Sequence, residues 1–193
     1  MKRWKAWLDA DQGRLIALLI SALALACLLA GLLRSPQLYP IDYGQYQAIL
    51  QQMGLAYTKG DTGSDTLQYV RAVTEFAYSH FSWAKMFSPS SPGSLVYGVA
   101  LVRLLTEPFG LGFSVDALAA VWVALLVFAV YSLARSGHFL LGDAVLVPGA
   151  ILCLVFSDRN FCAMLRGLYP QGAAAVFTLL FLAAALRAFT TAR

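Results

Sequence analysis

LIALLISALALACLLAGLL, Leu15–Leu33, runs without a single charged residue. As a helix rising about 1.5 Å per residue it covers about 28 Å, close to the roughly 30 Å hydrocarbon core of a bilayer. A cleaved signal peptide has a shorter apolar region, about 7–15 residues, ending in small residues at a cleavage site. Here Arg34-Ser35-Pro36 follows instead, so the stretch reads as a retained span. Lys2, Arg3, Lys5 and Arg14 precede it, and basic residues of this kind stay in the cytoplasm. Residues 1–14 are therefore expected inside and 15–33 in the membrane.

The rest of the composition agrees. Hydrophobic residues make up 60% of the chain and charged ones 12%, with a mean hydropathy of +0.68. A soluble domain is nearer about 45–50% apolar and about 25% charged. The net charge of +4 is carried by residues that flank apolar runs, among them Arg135, Arg187 and Arg193. Such positions suit orientation and anionic headgroups rather than nucleic acid. Cys27, Cys153 and Cys162 have no C-x-x-C spacing and imply neither a disulfide framework nor a metal site.

Residues 34–114 read as a long outer loop carrying interfacial helices. Tyr43, Tyr46, Ile49, Leu50 and Met53 share one helical face, with Asp42 at the N-cap and Gly54 as the stop. Asp65–Phe87, rich in aromatics, predicts a second helix lying in the headgroup layer. Beyond Ser88-Pro89-Ser90-Ser91-Pro92-Gly93, the stretch Leu95–Leu105, interrupted by Arg103, predicts a short amphipathic helix. The alternative is a span extended through Gly112, which would invert everything downstream.

Residues 115–193 read as a three-helix membrane region. Its spans are about Val115–Leu133, Leu140–Phe156 and Gly172–Phe189, with a basic turn at Arg135 and His138 after the first. The expected fold is thus an all-α polytopic protein of the cell (inner) membrane. It has about four transmembrane helices and both termini inside.

Motifs of soluble enzymes are absent: no G-x-x-x-x-G-K-[ST], G-x-S-x-G or H-E-x-x-H occurs. Asp42 and Asp158 each follow a span on the outer side. If the first and third spans pack together, both carboxylates face one outer pocket, where a carboxylate serves as a general base or a metal ligand. The plainer roles are N-capping for Asp42 and a salt bridge to Arg159 for Asp158. Arg159 and Arg166, in the polar break between spans, suit bidentate phosphate binding or snorkelling to the interface.

Three stretches together resemble the amino-terminal part of GT-C membrane glycosyltransferases. They are PIDYGQYQAILQQMGLAY (Pro40–Tyr57), SPGSLVYGVALVRLLTEPFGLGFSVDALAAVWVALLVFAVYSLAR (Ser91–Arg135) and FSDRNFCAMLRGLYPQGAAAVFTLLFLAAAL (Phe156–Leu186). The resemblance implies transfer of a sugar from a polyprenyl-phosphate donor to a glycan or lipid acceptor on the outer face, for cell-envelope glycans. It would make Asp42 the catalytic base and Asp158 a second acidic residue assisting the acceptor or a divalent metal. Arg159 or Arg166 would contact the donor phosphate, and Tyr169 and Gln171 would line the approach to the fourth span. Members of that group generally have more spans, so the expectation is an amino-terminal part of a longer enzyme. Two other readings stand beside it: a non-catalytic membrane subunit binding a partner or lipid-linked glycan, and a transporter fragment.

Overall fold

The computed structural model describes residues 2–35, 50–57, 75–80 and 93–192. Its elements in chain order are α1 (Lys2–Arg34), β1 (Leu55–Tyr57), β2 (Glu75–Tyr78), α2 (Leu95–Thr106), β3 (Phe113–Ser114), α3 (Val115–Leu141), α4 (Leu146–Phe156), α5 (Arg159–Leu165) and α6 (Pro170–Thr191). Among the described residues three helical stretches are long and apolar enough to cross a membrane: Gln12–Arg34, Val115–Phe156 and Pro170–Thr191. The chain divides into two compact units, described in turn. One comprises Met1–Ser35, Val123–Ala163 and Ala175–Arg193; the other comprises Pro36–Trp122 and Met164–Ala174.

In the first unit α1 buries a stripe of mostly small residues. Gly13, Ala17, Ser21, Ala24, Leu28, Gly31 and Ser35 are buried at spacings of three and four. Leu15, Leu18, Leu19, Leu23, Leu29 and Leu33 are exposed around the rest of the helix. Lipid tails are as apolar as leucine, so membrane helices associate through close backbone approach, and small residues permit it. The Ser21 hydroxyl is satisfied within the helix, donating to the Ala17 carbonyl at 2.7 Å.

The partner of that stripe is α4. A Cβ placed on Gly149 would come within 3.0 Å of Ile20 Cδ1, and one on Gly31 would come within 3.1 Å of the Phe156 carbonyl oxygen. Ile20 to Gly31 and Gly149 to Phe156 advance together, so α1 and α4 run parallel. Between α3 and α4 the chain doubles back. Gly142 adopts φ +55°, and a Cβ on Gly137 would lie 2.9 Å from Val145 Cγ2. In an uninterrupted helix those residues would be about 12 Å apart. At the same end a Cβ on Gly13 would meet the His138 ring at 2.6 Å.

Arg135 and His138, expected in a turn, are helical, because α3 continues to Leu141. The apolar side chains Phe139, Leu140 and Leu141 extend the helix, and the break comes at the glycine. A 3-10 segment, Gly142–Val145, then leads into α4.

The second unit holds a small antiparallel sheet in the order β1-β2-β3. Leu55 pairs with Tyr78 and Tyr57 with Phe76, while Phe76 pairs with Phe113. The Phe76 and Phe113 rings lie 6.0 Å apart. Both are buried with Leu50, Met53, Leu55 and Trp122. At Glu75–Tyr78 a strand replaces the helix expected over Asp65–Phe87; residues 65–74 and 81–87 lie outside the described residues. Phe76 and Tyr78 are two residues apart, which is the strand period.

Residues 50–52 are helical and Gly54 has φ +69°, as a helix stop requires. The remainder of the helix expected after Asp42 lies outside the described residues. Helix α2 covers the stretch Leu95–Leu105, and its exposed face carries Tyr97, Leu101, Leu104 and Leu105 beside Arg103. It ends at Thr106, followed by the 3-10 turn Glu107–Phe109 and Gly110 at φ +69°. Its length, about 18 Å, is too short to span. Gly98 of α2 sits flush against Trp122 and Leu118, with no room for a side chain.

Candidate functional site

The end of α4 is built by local hydrogen bonding. The Ser157 hydroxyl donates to the Leu154 carbonyl at 2.7 Å. Asp158 then opens α5. Its Oδ1 accepts the backbone N–H of Asn160 at 2.9 Å and of Phe161 at 2.8 Å. This is an N-cap, worth about 1 kcal/mol, rather than the salt bridge to Arg159 expected from their adjacency. Asp158 and Arg159 are both exposed. Phe161 stacks on Phe156 with ring centroids 5.6 Å apart, fixing the angle between α4 and α5.

Cys162 anchors this corner to α1. Its Sγ donates to the Phe156 carbonyl at 3.2 Å and faces the Leu28 carbonyl at 3.9 Å. Burial, with a smaller contribution from the Asp158 charge, pushes its thiol up to about 11. A thiol so protonated is a hydrogen-bond donor, not a nucleophile. Gly31 lies directly opposite. The α1 C-terminus is therefore held against the α4–α5 corner, and Ser35 closes the helix by donating to the Leu32 carbonyl at 3.0 Å. Asp42, seven residues further on, lies outside the described residues.

Arg166, Tyr169 and Gln171 belong to the other unit. Arg166 Nε and Nη2 donate to Asp116 Oδ1 at 3.3 and 3.1 Å. Asp116 sits in the first turn of α3, where a carboxylate also favours the helix dipole. Tyr169 is half-buried, and Gln171 is exposed in the first turn of α6, after Pro170. A Cβ on Gly172 would approach the Met164 carbonyl oxygen to 2.8 Å, so this glycine lets α6 start close against the segment before it.

A further polar cluster ties α2 to β2. Arg103 Nε and Nη2 donate to Glu107 Oε2 and Oε1, each at 2.8 Å, and Nη1 donates to the Ser79 carbonyl at 3.1 Å. The guanidinium lies 5.0 Å from the centre of the Tyr78 ring. The Tyr78 phenol is pushed up by burial and shares a 2.6 Å hydrogen bond with the Thr106 hydroxyl. Arg103 is thus a structural clasp between α2 and β2. Its spacing of four residues from Glu107, carried into the 3-10 turn that follows α2, was the signal.

Asp116 as partner of Arg166, and Gly31 with Cys162, were not evident from sequence. Among the described residues no three His, Cys, Asp or Glu side chains gather to hold a metal ion. Compared with protein-family models, curated proteins and solved structures, the chain matches none.

Proposed function

We propose that the chain crosses a membrane four times with both termini on the cytoplasmic side, and that it works at the outer end. Its activity there is glycosyl transfer from a lipid-phosphate donor, by the chain itself or as the amino-terminal part of a longer enzyme. The observation that carries this reading is the parallel packing of α1 and α4. It supports this reading because Gly31, in the last turn of α1, packs against Phe156 and Cys162, the residues on either side of Asp158 and Arg159. The reversal at Gly142 supports a crossing separate from α3, made by the 3-10 segment Gly142–Val145 and α4 together, since α4 alone is shorter than a span. Basic residues at the opposite end support the orientation.

In this reading Asp42 removes the proton of the acceptor hydroxyl, and the exposed Arg159 holds the donor phosphate. Positioned proton transfer contributes about 10²–10⁴-fold to rate. Asp42→Asn, assayed for sugar transfer in membranes carrying the full chain, should lose at least about a hundredfold with normal expression. Unchanged transfer would overturn the catalytic role.

A second reading, a non-catalytic subunit that binds a partner or lipid-linked glycan, draws on different observations. Asp158 is engaged by its own helix and Arg166 by Asp116, as in a scaffold. Under that reading Asp42→Asn leaves transfer intact.

A further inference from the structure

At the end of the first unit away from Asp158, α3 and α6 enclose a groove of about 330 Å³. That is the size of a small-molecule site. Arg135 from α3 and Arg187 from α6 both line it, with Tyr131 and Ser132 beside them and Phe128 and Phe139 as apolar walls. Both arginines are exposed. Among the described residues neither is ion-paired to a carboxylate; the ion pairs found there are Arg103–Glu107, His138–Asp143 and Arg166–Asp116.

We infer that this groove binds the phosphate headgroup of an anionic phospholipid. Two guanidiniums facing one space repel each other unless an anion lies between them, and phosphate takes their planar donors in bidentate fashion. The hydroxyls of Thr190 and Thr191 are already committed to the Arg187 carbonyl, at 2.9 and 2.7 Å. The donors left for the ligand are the two arginines, Tyr131, Ser132 and Ser136. The walls decide between a lipid and free phosphate. Phe128 is 57% and Phe139 67% exposed, so the groove offers apolar surface that a free phosphate would leave wet and an acyl chain would cover. Basic pockets between membrane helices on the cytoplasmic side suit such headgroups. The inference rests on the membrane embedding and orientation proposed above and is independent of any chemistry at the Asp158 end.

The test uses the full chain in a neutral detergent, titrated with short-chain phosphatidylglycerol, matched phosphatidylcholine and inorganic phosphate, and read by native mass spectrometry. Phosphatidylglycerol should bind at least about tenfold more tightly than phosphatidylcholine, and high salt should erase the difference. Arg135→Gln and Arg187→Gln should each weaken it about fivefold, and together roughly thirtyfold. Arg14→Gln, an exposed arginine outside the groove, should change nothing. Equal binding of the two lipids in the wild-type chain overturns the inference. So does undiminished phosphatidylglycerol binding in the arginine variants, or a loss in Arg14→Gln as large as theirs. Inorganic phosphate binding as tightly as phosphatidylglycerol would make this a simple anion site and overturn the lipid assignment.

Discussion

Gly31 of α1 faces the thiol of Cys162 on α5 so closely that a single added methyl group would collide with the sulfur. That contact fixes where the chain leaves α1. Gly31→Ala should therefore destabilise the protein by about 1–3 kcal/mol, the usual cost of overpacking. Cys162→Ala in the same chain should restore part of the loss by removing the sulfur, while the Phe156 carbonyl still crowds the site. A double-mutant cycle on unfolding in detergent measures the coupling. Additive effects would mean that the two residues do not meet.

The Cys162 thiol provides a chemical check on the same corner. With its thiol pushed up to about 11, about one molecule in a thousand carries the thiolate at pH 8. N-Ethylmaleimide should leave Cys162 unmodified in the folded protein and alkylate it after denaturation, as read by peptide mass spectrometry. Rapid labelling of the folded chain would contradict this burial.

Asp158 can be tested as a cap and as a functional acid separately. Its carboxylate oxygen closes α5, and asparagine offers the same acceptor. Asp158→Asn should keep stability while Asp158→Ala loses about 1 kcal/mol. A working carboxylate predicts that sugar transfer falls in both variants. A pure cap predicts a defect in the alanine variant alone.

The clasp between Arg103 and Glu107 gives a pH dependence. The guanidinium hydrogen bonds hold the Glu107 carboxyl below its ordinary value of 4.5. A lowered carboxylate stabilises the fold above the unfolded value, and the contribution disappears as pH falls through the lower, folded one. Wild type and Glu107→Gln should differ in thermal midpoint near neutrality and converge as pH falls through the lowered, folded value. The difference should be small, because exposed ion pairs contribute little. A gap that persists at low pH would assign the effect to packing.

The membrane helices were legible because their signal is a long run of one property, as in Leu15–Leu33. Helix α2 and the Gly54 stop followed from spacing and turn chemistry. The strand at Glu75–Tyr78 was hidden by aromatics that fit either period, and it is decided by pairing with Leu55–Tyr57 and Phe113–Ser114, residues distant in sequence. The small-residue stripe of α1 was in plain view as Gly13, Ala17, Ser21, Ala24 and Gly31. Its meaning came only with the partner, since a small residue in a membrane helix is significant only if another helix approaches it. The same holds for Arg166, whose role changed once Asp116 was found beside it.

Work at the outer end requires the 3-10 segment Gly142–Val145 and α4 together to cross the membrane and carry Asp158 to the side opposite Gly142. Asn160 and Asp143 are exposed residues near the two ends of that crossing. Asn160→Cys and Asp143→Cys, each compared with the parent chain, can be probed with a membrane-impermeant maleimide on intact and permeabilised cells. Asn160→Cys should label from outside intact cells, and Asp143→Cys only after permeabilisation. Labelling of both positions from the same side would contradict that crossing.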